Sequence, residues 1–332
     1  AGVYLLARFY PAFAPVPGWA DAVIAVGVLS TLLGALMALT APDLKRVLAY
    51  STVSQLGYAV YAVGAGGILA SQLHLFSHAI FKALLFLGAG AVIHAVRTRD
   101  MREMGGLGRR MPFTRTAFVI GALALAGLPV LNGFWCKELV LEAGLHGGPI
   151  WAFAVMVVVA GLTGCYTFRA VWLVFYGAPR KPLPAHDAPS AMRISLTLLA
   201  IGTLSSWLAA GSLGRLLESS LPFHVLHAPS TTALAVKTLE APTTWLTLAV
   251  VGLGLLAWHG RERLTDAVAL LAWVSAAADG GFGCERVNRQ IVQAISATAR
   301  AARRAQPGLL GWNVLGIVGG LVLLVIILAW GA

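Results

Sequence analysis

Three ionisable residues, His74, His78 and Lys82, recur at every fourth position in the otherwise apolar stretch LHLFSHAIFKALLFL, residues 73–87. On a helix this i, i+4, i+8 spacing forms one stripe, each group about 6 Å beyond the last. Gln72 and Ser77 add polar atoms beside it. Lys82 falls near the middle of the apolar run 72–96. If that run crosses a membrane, a charge there costs on the order of 2.5–3.5 kcal/mol on insertion scales. A stripe kept against such a cost must face protein or water. Imidazole and amine are both proton carriers, and imidazole is one at neutral pH without help. A lone membrane histidine more often serves as a hydrogen-bond partner between helices. Three ionisable groups in register point instead to a proton pathway.

A second constellation lies in GLPVLNGFWCKELVLEAG, residues 127–144. Pro129 removes a backbone donor and clashes with the preceding turn. Gly133 lowers the cost of unusual dihedrals. The run 116–145 is therefore expected to be a helix broken near Asn132, and irregular backbone at membrane depth requires protein or a wet cavity around it. Lys137 and Glu138 follow the break, with Glu142 beyond them, so a Lys/Glu cluster is expected there. A polar stripe, Ser51, Gln55 and Tyr58, runs along the preceding segment. Asp43 and Lys45, ahead of that stripe, are candidates for proton uptake; a solvated loop pair explains them equally well.

These groups need elements to hold them. Hydrophobic residues make up 58% of the chain and charged residues 11%, with mean hydropathy +0.81. Soluble domains carry about 25% charged residues, so the chain is read as a membrane protein. About 20 apolar residues cross a bilayer. Eight runs qualify: 20–41, 47–69, 72–96, 116–145, 150–177, 191–213, 243–259 and 309–330. The segment 214–242 reads as a loop. The opening AGVYLLARFY reads as the end of an apolar helix, and the chain is expected to be a fragment starting inside a span.

The net charge of +11 does not indicate nucleic acid, which requires clustered cations and stacking aromatics on a soluble fold. Of the 24 Lys and Arg residues, two lie in 41–46, six in 97–115, three in 177–193 and seven in 260–305. Loops 10–19, 70–71 and 146–149 have none. This alternation follows the positive-inside rule and puts the basic loops in the cytoplasm. Cys136, Cys165 and Cys284 show no metal-ligand spacing, and no phosphate-binding glycine loop occurs, so neither a metal nor a cofactor is expected. In 260–305, CERVNRQIVQAISATARAARR has Val287, Ile291 and Ile295 on one face and arginines largely on the others. That is the pattern of an amphipathic helix lying on a membrane surface. The glycines Gly280, Gly281 and Gly283 are expected to interrupt it.

DLKRVLAYSTVSQLGY (43–58), LHLFSHAIFKALLFLGAGAVIHA (73–95), MGGLGRRMP (104–112) and LPVLNGFWCKELVLEA (128–143) together resemble the antiporter-like subunits of respiratory complex I, the NADH-quinone oxidoreductase, and the large subunits of Mrp-type antiporters. The tail RRAQPGLLGW (303–312) makes the chain most similar to the distal, subunit-L type, and the resemblance covers the C-terminal half of that pattern. It implies an all-α, polytopic transmembrane bundle with a broken helix and a C-terminal lateral helix. Residues 1–19 would end a truncated helix and 20–259 form the antiporter-like domain. Residues 260–308 would be the lateral helix and 309–332 the anchoring helix.

The resemblance further implies that Lys82, His74 and His78 are the hydrophilic axis of a half-channel, that Lys137 passes the proton outward, and that Glu138 is its adjacent acid. Redox chemistry would lie in other subunits, neighbouring antiporter-like subunits would be partners, and the location would be the bacterial cytoplasmic membrane. Mrp-type antiporter subunits, and subunit-L-like proteins of inorganic-carbon uptake or hydrogenase complexes, carry the same motifs and remain alternatives.

Overall fold

In lipid, each backbone N–H and C=O must find its partner within the segment, and every regular element among the described residues is helical. The structure is a computed structural model describing residues 1–181, 184–221, 229–259, 276–278, 281–305 and 310–330. Residues 1–279 form one compact unit and 280–332 a second.

In the first unit, α1 (Gly2–Phe13) and α2 (Trp19–Thr40) precede the two helices that carry the polar stripes, α3 (Leu44–Gly64) and α4 (Ile68–Val96). Short connections make α2, α3 and α4 antiparallel neighbours. Helices in lipid associate by close packing of small residues. A Cβ on Gly27 or Gly34 of α2 would strike the backbone of Tyr61 or Ser54 of α3. Only glycine therefore lets these two helices approach as they do.

The run 116–145 is two helices, α5 (Pro112–Ala126) and α6 (Asn132–Gly147), separated by the break expected from Pro129. Then come α7 (Ile150–Val171), which ends in a π-turn to Tyr176, and α8 (Ser190–Ser205). A 3-10 turn at Ser206–Ala209 leads into α9 (Ala210–Ser220). The unit closes with α10 (Thr231–Glu240) and α11 (Pro242–His259).

Four described helices are long and apolar enough to cross a membrane: Trp19–Thr40, Ile68–Val96, Ile150–Tyr176 and Ser190–Ser220. The bent pair Thr231–Glu240 and Pro242–Trp258, which meet at 68°, makes a fifth if counted as one span. This is fewer than the eight predicted runs, partly because α3 is polar and because α5 and α6 are separated. One expectation fails: 214–242 is not a loop. The span from α8 continues to Ser220 and α10 follows at Thr231, with 222–228 outside the described residues. The charges Arg215, Glu218, Lys237 and Glu240 sit on amphipathic helices, which the search for uninterrupted apolar runs overlooks.

The loops after α2, α4 and α7 gather at one end of the bundle, hereafter the basic end. Asp43 pairs in a β-bridge with Asp100. Leu44 N donates to Arg99 O at 2.9 Å and Met101 N to Pro42 O at 3.0 Å. Met101, Met104, Leu107 and Met111 are buried beneath that end. Asp187, in the loop before α8, accepts from Phe113 N (2.8 Å), Thr114 N (3.1 Å) and the Thr114 hydroxyl (2.6 Å). It thus satisfies the orphan donors at the start of α5 from 74 residues away.

In the second unit, Gly281, Phe282 and Gly283 all have left-handed backbone, and α12 (Cys284–Ala305) begins only after them. Val287, Ile291 and Ile295 are exposed along one stripe of α12. The last helix is α13 (Leu310–Trp330). Residues 260–275, 279, 280 and 306–308 of the predicted lateral segment, and the side chain of Cys284, lie outside the described residues.

Candidate functional site

The α4 stripe faces the interior. His74, His78 and Lys82 are at most 5% exposed, and Lys137 and Glu138 on α6 are 1% and 2% exposed. The Lys82 ammonium donates to Leu48 O at 3.1 Å and to Ser51 Oγ at 2.5 Å, both on α3. Ser51 Oγ in turn donates to Leu48 O at 3.0 Å. The His74 and His78 rings stack with centroids 6.2 Å apart, and His78 lies edge-on to Phe81. His78 Nε2 and both side-chain polar atoms of Gln55 have no hydrogen-bond partner among the described residues. Buried polar atoms without partners are uncommon, and here they lie along the histidine stripe.

At the far end of the stripe, His74 Nε2 lies 3.1 Å from Gln55 O and Nδ1 lies 3.3 Å from Cys136 Sγ. A carbonyl only accepts, so Nε2 carries the hydrogen and Nδ1 is the basic lone pair turned toward α6. Cys136 immediately precedes Lys137 and was not among the residues singled out in the sequence. Tyr58 lies between the two stripes. Its ring is 6.1 Å from His74, it faces the Lys137 ammonium at 5.7 Å, and its hydroxyl donates to Met156 O at 2.6 Å.

The broken helix explains how Lys137 is held. Gly127 adopts the left-handed conformation (φ 85°) that ends α5, and the amides of Gly127 and Leu128 bond to Leu123 O and Ala124 O. That closure leaves the next two carbonyls free. The Lys137 ammonium takes both, at 2.9 Å to Leu125 O and 3.3 Å to Ala126 O, at the negative end of the α5 dipole. Val130, inside the break, has φ 76°, a strained value for a β-branched residue. Asn132 starts α6 and donates to Ser206 Oγ at 3.0 Å in the α8–α9 turn. Trp135 stacks on Trp207 beside it, so the two interruptions meet.

Of the expected Lys/Glu cluster, Glu138 stays near Lys137 while Glu142 is drawn away to α10. The Glu138 carboxyl faces the Thr244 and Thr247 hydroxyls of α11, and its Oε2 has no hydrogen-bond partner among the described residues. Glu142 pairs at 3.0 Å with Lys237 of α10. Asp43 accepts from Arg46 N at 3.0 Å and caps α3, while Lys45 is exposed. Neither is brought to the Lys82 ammonium. Arg169, near the basic end of α7, donates to Ala41 O at 2.8 Å. Among the described residues no group of His, Cys, Asp and Glu could hold a metal ion.

Outside the spans, the Asp100 carboxyl lies below the usual carboxylate range, chiefly because Arg102 hydrogen-bonds it. Asp187 is lowered as well. Burial works against it, and the donors from Thr114, Ala188 and Phe113 prevail.

Among the described residues, a helical bundle with interrupted spans and buried lysines on backbone carbonyls defines an integral membrane protein of antiporter-like architecture. Residues 1–163 match the profile described as NADH:quinone oxidoreductase/Mrp antiporter, TM. The chain is similar to NAD(P)H-quinone oxidoreductase chain 5 of Picosynechococcus sp., 47% identical over 186 residues, covering 53% of this chain and 28% of that protein. It is similar to NADH-quinone oxidoreductase subunit L of Rhodobacter capsulatus, 40% identical over 220 residues, covering 61% of this chain and 31% of that protein. Among solved structures it is similar to the Mrp complex from Dietzia sp. DQ12-45-1b, with TM-score 0.66 and 29% identity over 100% of this chain and 36% of that one. The chain thus spans about a third of the length of the curated relatives it matches.

Proposed function

We propose that this chain is the proton-translocating part of a membrane subunit of NADH:quinone oxidoreductase, of subunit-L type, driven by redox chemistry in other subunits. One observation carries the reading: the Lys82–His78–His74 stripe runs, without leaving the protein interior, to Cys136 and Tyr58 beside Lys137 on the broken helix. Protons enter from the basic, cytoplasmic end, past Asp43 and Lys45, and pass from Lys82 along the histidines to Lys137 and Glu138. A proton arriving on the axis favours release from Lys137 by like-charge repulsion. The chain binds no cofactor of its own in this reading. Its partners are neighbouring antiporter-like subunits and the lipid of a bacterial cytoplasmic membrane, with 260–308 lying along the membrane surface and 309–332 anchoring it.

The test is Lys82→Met in the full-length subunit, scored as protons pumped per electron in sealed vesicles. Loss of this subunit's share with normal assembly supports the reading; unchanged stoichiometry refutes it. The 29% identity to the Mrp complex over the whole chain supports a second reading, a cation/proton antiporter subunit. Cation-driven proton flux that persists without quinone reduction would favour it.

A further inference from the structure

Glu138 and Glu142 are four residues apart on α6, so they share a face with Cβ atoms about 6 Å apart. Glu138 is buried and Glu142 stands one turn nearer the end opposite the basic loops, with its side chain 13% exposed. There Glu142 pairs with Lys237, whose own side chain is 65% exposed. Cavities of about 370 and 300 Å3 flank the pair, and both reach Glu142, His146 and Lys237.

The surroundings of the two acids differ. Thr244 and Thr247, which face Glu138, donate their hydroxyl hydrogens to Thr238 O (2.6 Å) and Thr243 O (2.8 Å). Glu138 Oε2 is buried with no hydrogen-bond partner among the described residues. Glu142 faces an ammonium, which only donates, and so receives as a carboxylate. A buried acid with an unpartnered oxygen and an ion-paired acid therefore stand one helical turn apart.

The walls differ too. The α3–α4 turn packs against α6 so closely that a Cβ on Gly67 or Gly147 would strike Ala143 or Ala65. The opposite wall is α10, ten residues long and largely exposed, joined to α11 by the 68° bend at Ala241–Pro242. The other ionisable groups lining the cavities at Glu142 are Glu240 of α10 and His146 of its own helix, and the Ala65–Gly67 turn contributes none.

We propose that Glu142 and Lys237 are the outer latch of the proton route, an inference that rests on the proton-translocating reading above. The Glu138 carboxyl gives its proton to the Glu142 carboxylate. The neutral Glu142 lets go of Lys237, and α10 swings at the bend. Glu142 then releases the proton to bulk water, and the ion pair re-forms and closes the mouth.

The test uses the full-length subunit in its native membrane complex, in sealed vesicles, with Lys82→Met alongside. Pumping per electron is read during turnover, and passive proton leak with turnover inhibited. Glu142→Gln should lose the same share of pumping as Lys82→Met, and Glu142→Asp should restore it. Lys237→Gln should raise the leak roughly fivefold, the shift expected from loss of a partly exposed ion pair. Wild-type leak in Lys237→Gln overturns the latch whatever Glu142→Gln does. Wild-type pumping in Glu142→Gln, with Lys82→Met impaired, overturns the outlet while leaving the axis standing. Wild-type pumping in Lys82→Met removes the proton route and the latch with it.

Discussion

Replacing Lys137 with Met should abolish outward proton transfer while leaving the bundle assembled. The ammonium holds Leu125 O and Ala126 O. Bonds to a charged group contribute about 1.5–3 kcal/mol each. The Tyr58 ring at 5.7 Å adds on the order of 1 kcal/mol. Against about 4–7 kcal/mol of contacts stands the cost of holding a charge at this depth, about 2.5–3.5 kcal/mol on insertion scales. Methionine forfeits both, so the net loss of stability is about 1–4 kcal/mol, within what a helix bundle of this size tolerates. Arginine keeps the contacts and cannot release its proton. A glutamate at 137 would turn a carboxylate onto two carbonyl oxygens and should not rescue. The assay is NADH-driven proton uptake by sealed vesicles, normalised to electron transfer. Both Lys137→Met and Lys137→Arg should lose this subunit's share of pumping at unchanged electron transfer. Wild-type stoichiometry in either variant would show that Lys137 only satisfies the broken helix.

Lys82→Arg should impair pumping as Lys82→Met does, because a guanidinium stays charged in this range; proton uptake per electron checks it. Asp187→Asn should lower the melting stability of the detergent-purified subunit by about 1 kcal/mol, the usual scale of a lost helix cap, discounted for its partial exposure. Because the folded carboxyl lies below its ordinary value, that contribution is present above pH about 4 and fades as the pH falls through the folded value. The wild-type and Asp187→Asn melts should therefore converge on acidification, and a constant difference would exclude the cap. Cysteine at Arg289 should react with an impermeant reagent from the cytoplasmic side only, and labelling from the outside would overturn the placement of α12.

The α4 stripe was legible because its four-residue spacing survives in any helix, and the break because Pro129 cannot continue one. What escaped the sequence was contact made by backbone or at long range. The acceptors of Lys137 are main-chain carbonyls, which no side-chain motif encodes. Cys136 meets His74 across 62 residues, and nothing in a lone cysteine marks that meeting. Asp187 reads as a loop acid until α5 begins beneath it. The α10 helix was misread because Lys237 and Glu240 sit beside a proline and mimic a solvated loop. The cluster of Lys137 with Glu142 failed for a geometric reason. Five residues on a helix turn through about 140° beyond a full revolution, so the two side chains point to different neighbours.

Both buried lysines rest on carbonyl and hydroxyl oxygens rather than on carboxylates: Lys82 on Leu48 O and Ser51 Oγ, Lys137 on Leu125 O and Ala126 O. This choice decides whether a lysine at this depth can exchange protons. Had either been paired with a buried carboxylate, losing its proton would leave an uncompensated anion, a penalty of about 3–5 kcal/mol. A carbonyl has no charge to strand. The neutral amine that remains after release still has two N–H donors for the same oxygens, so both protonation states keep their partners. For Lys137 those oxygens exist because α5 ends at Gly127. On the proton-translocating reading, the interruption is what would make the lysine reversible: it exposes two dipoles where a continuous helix would have spent them on its own next turn.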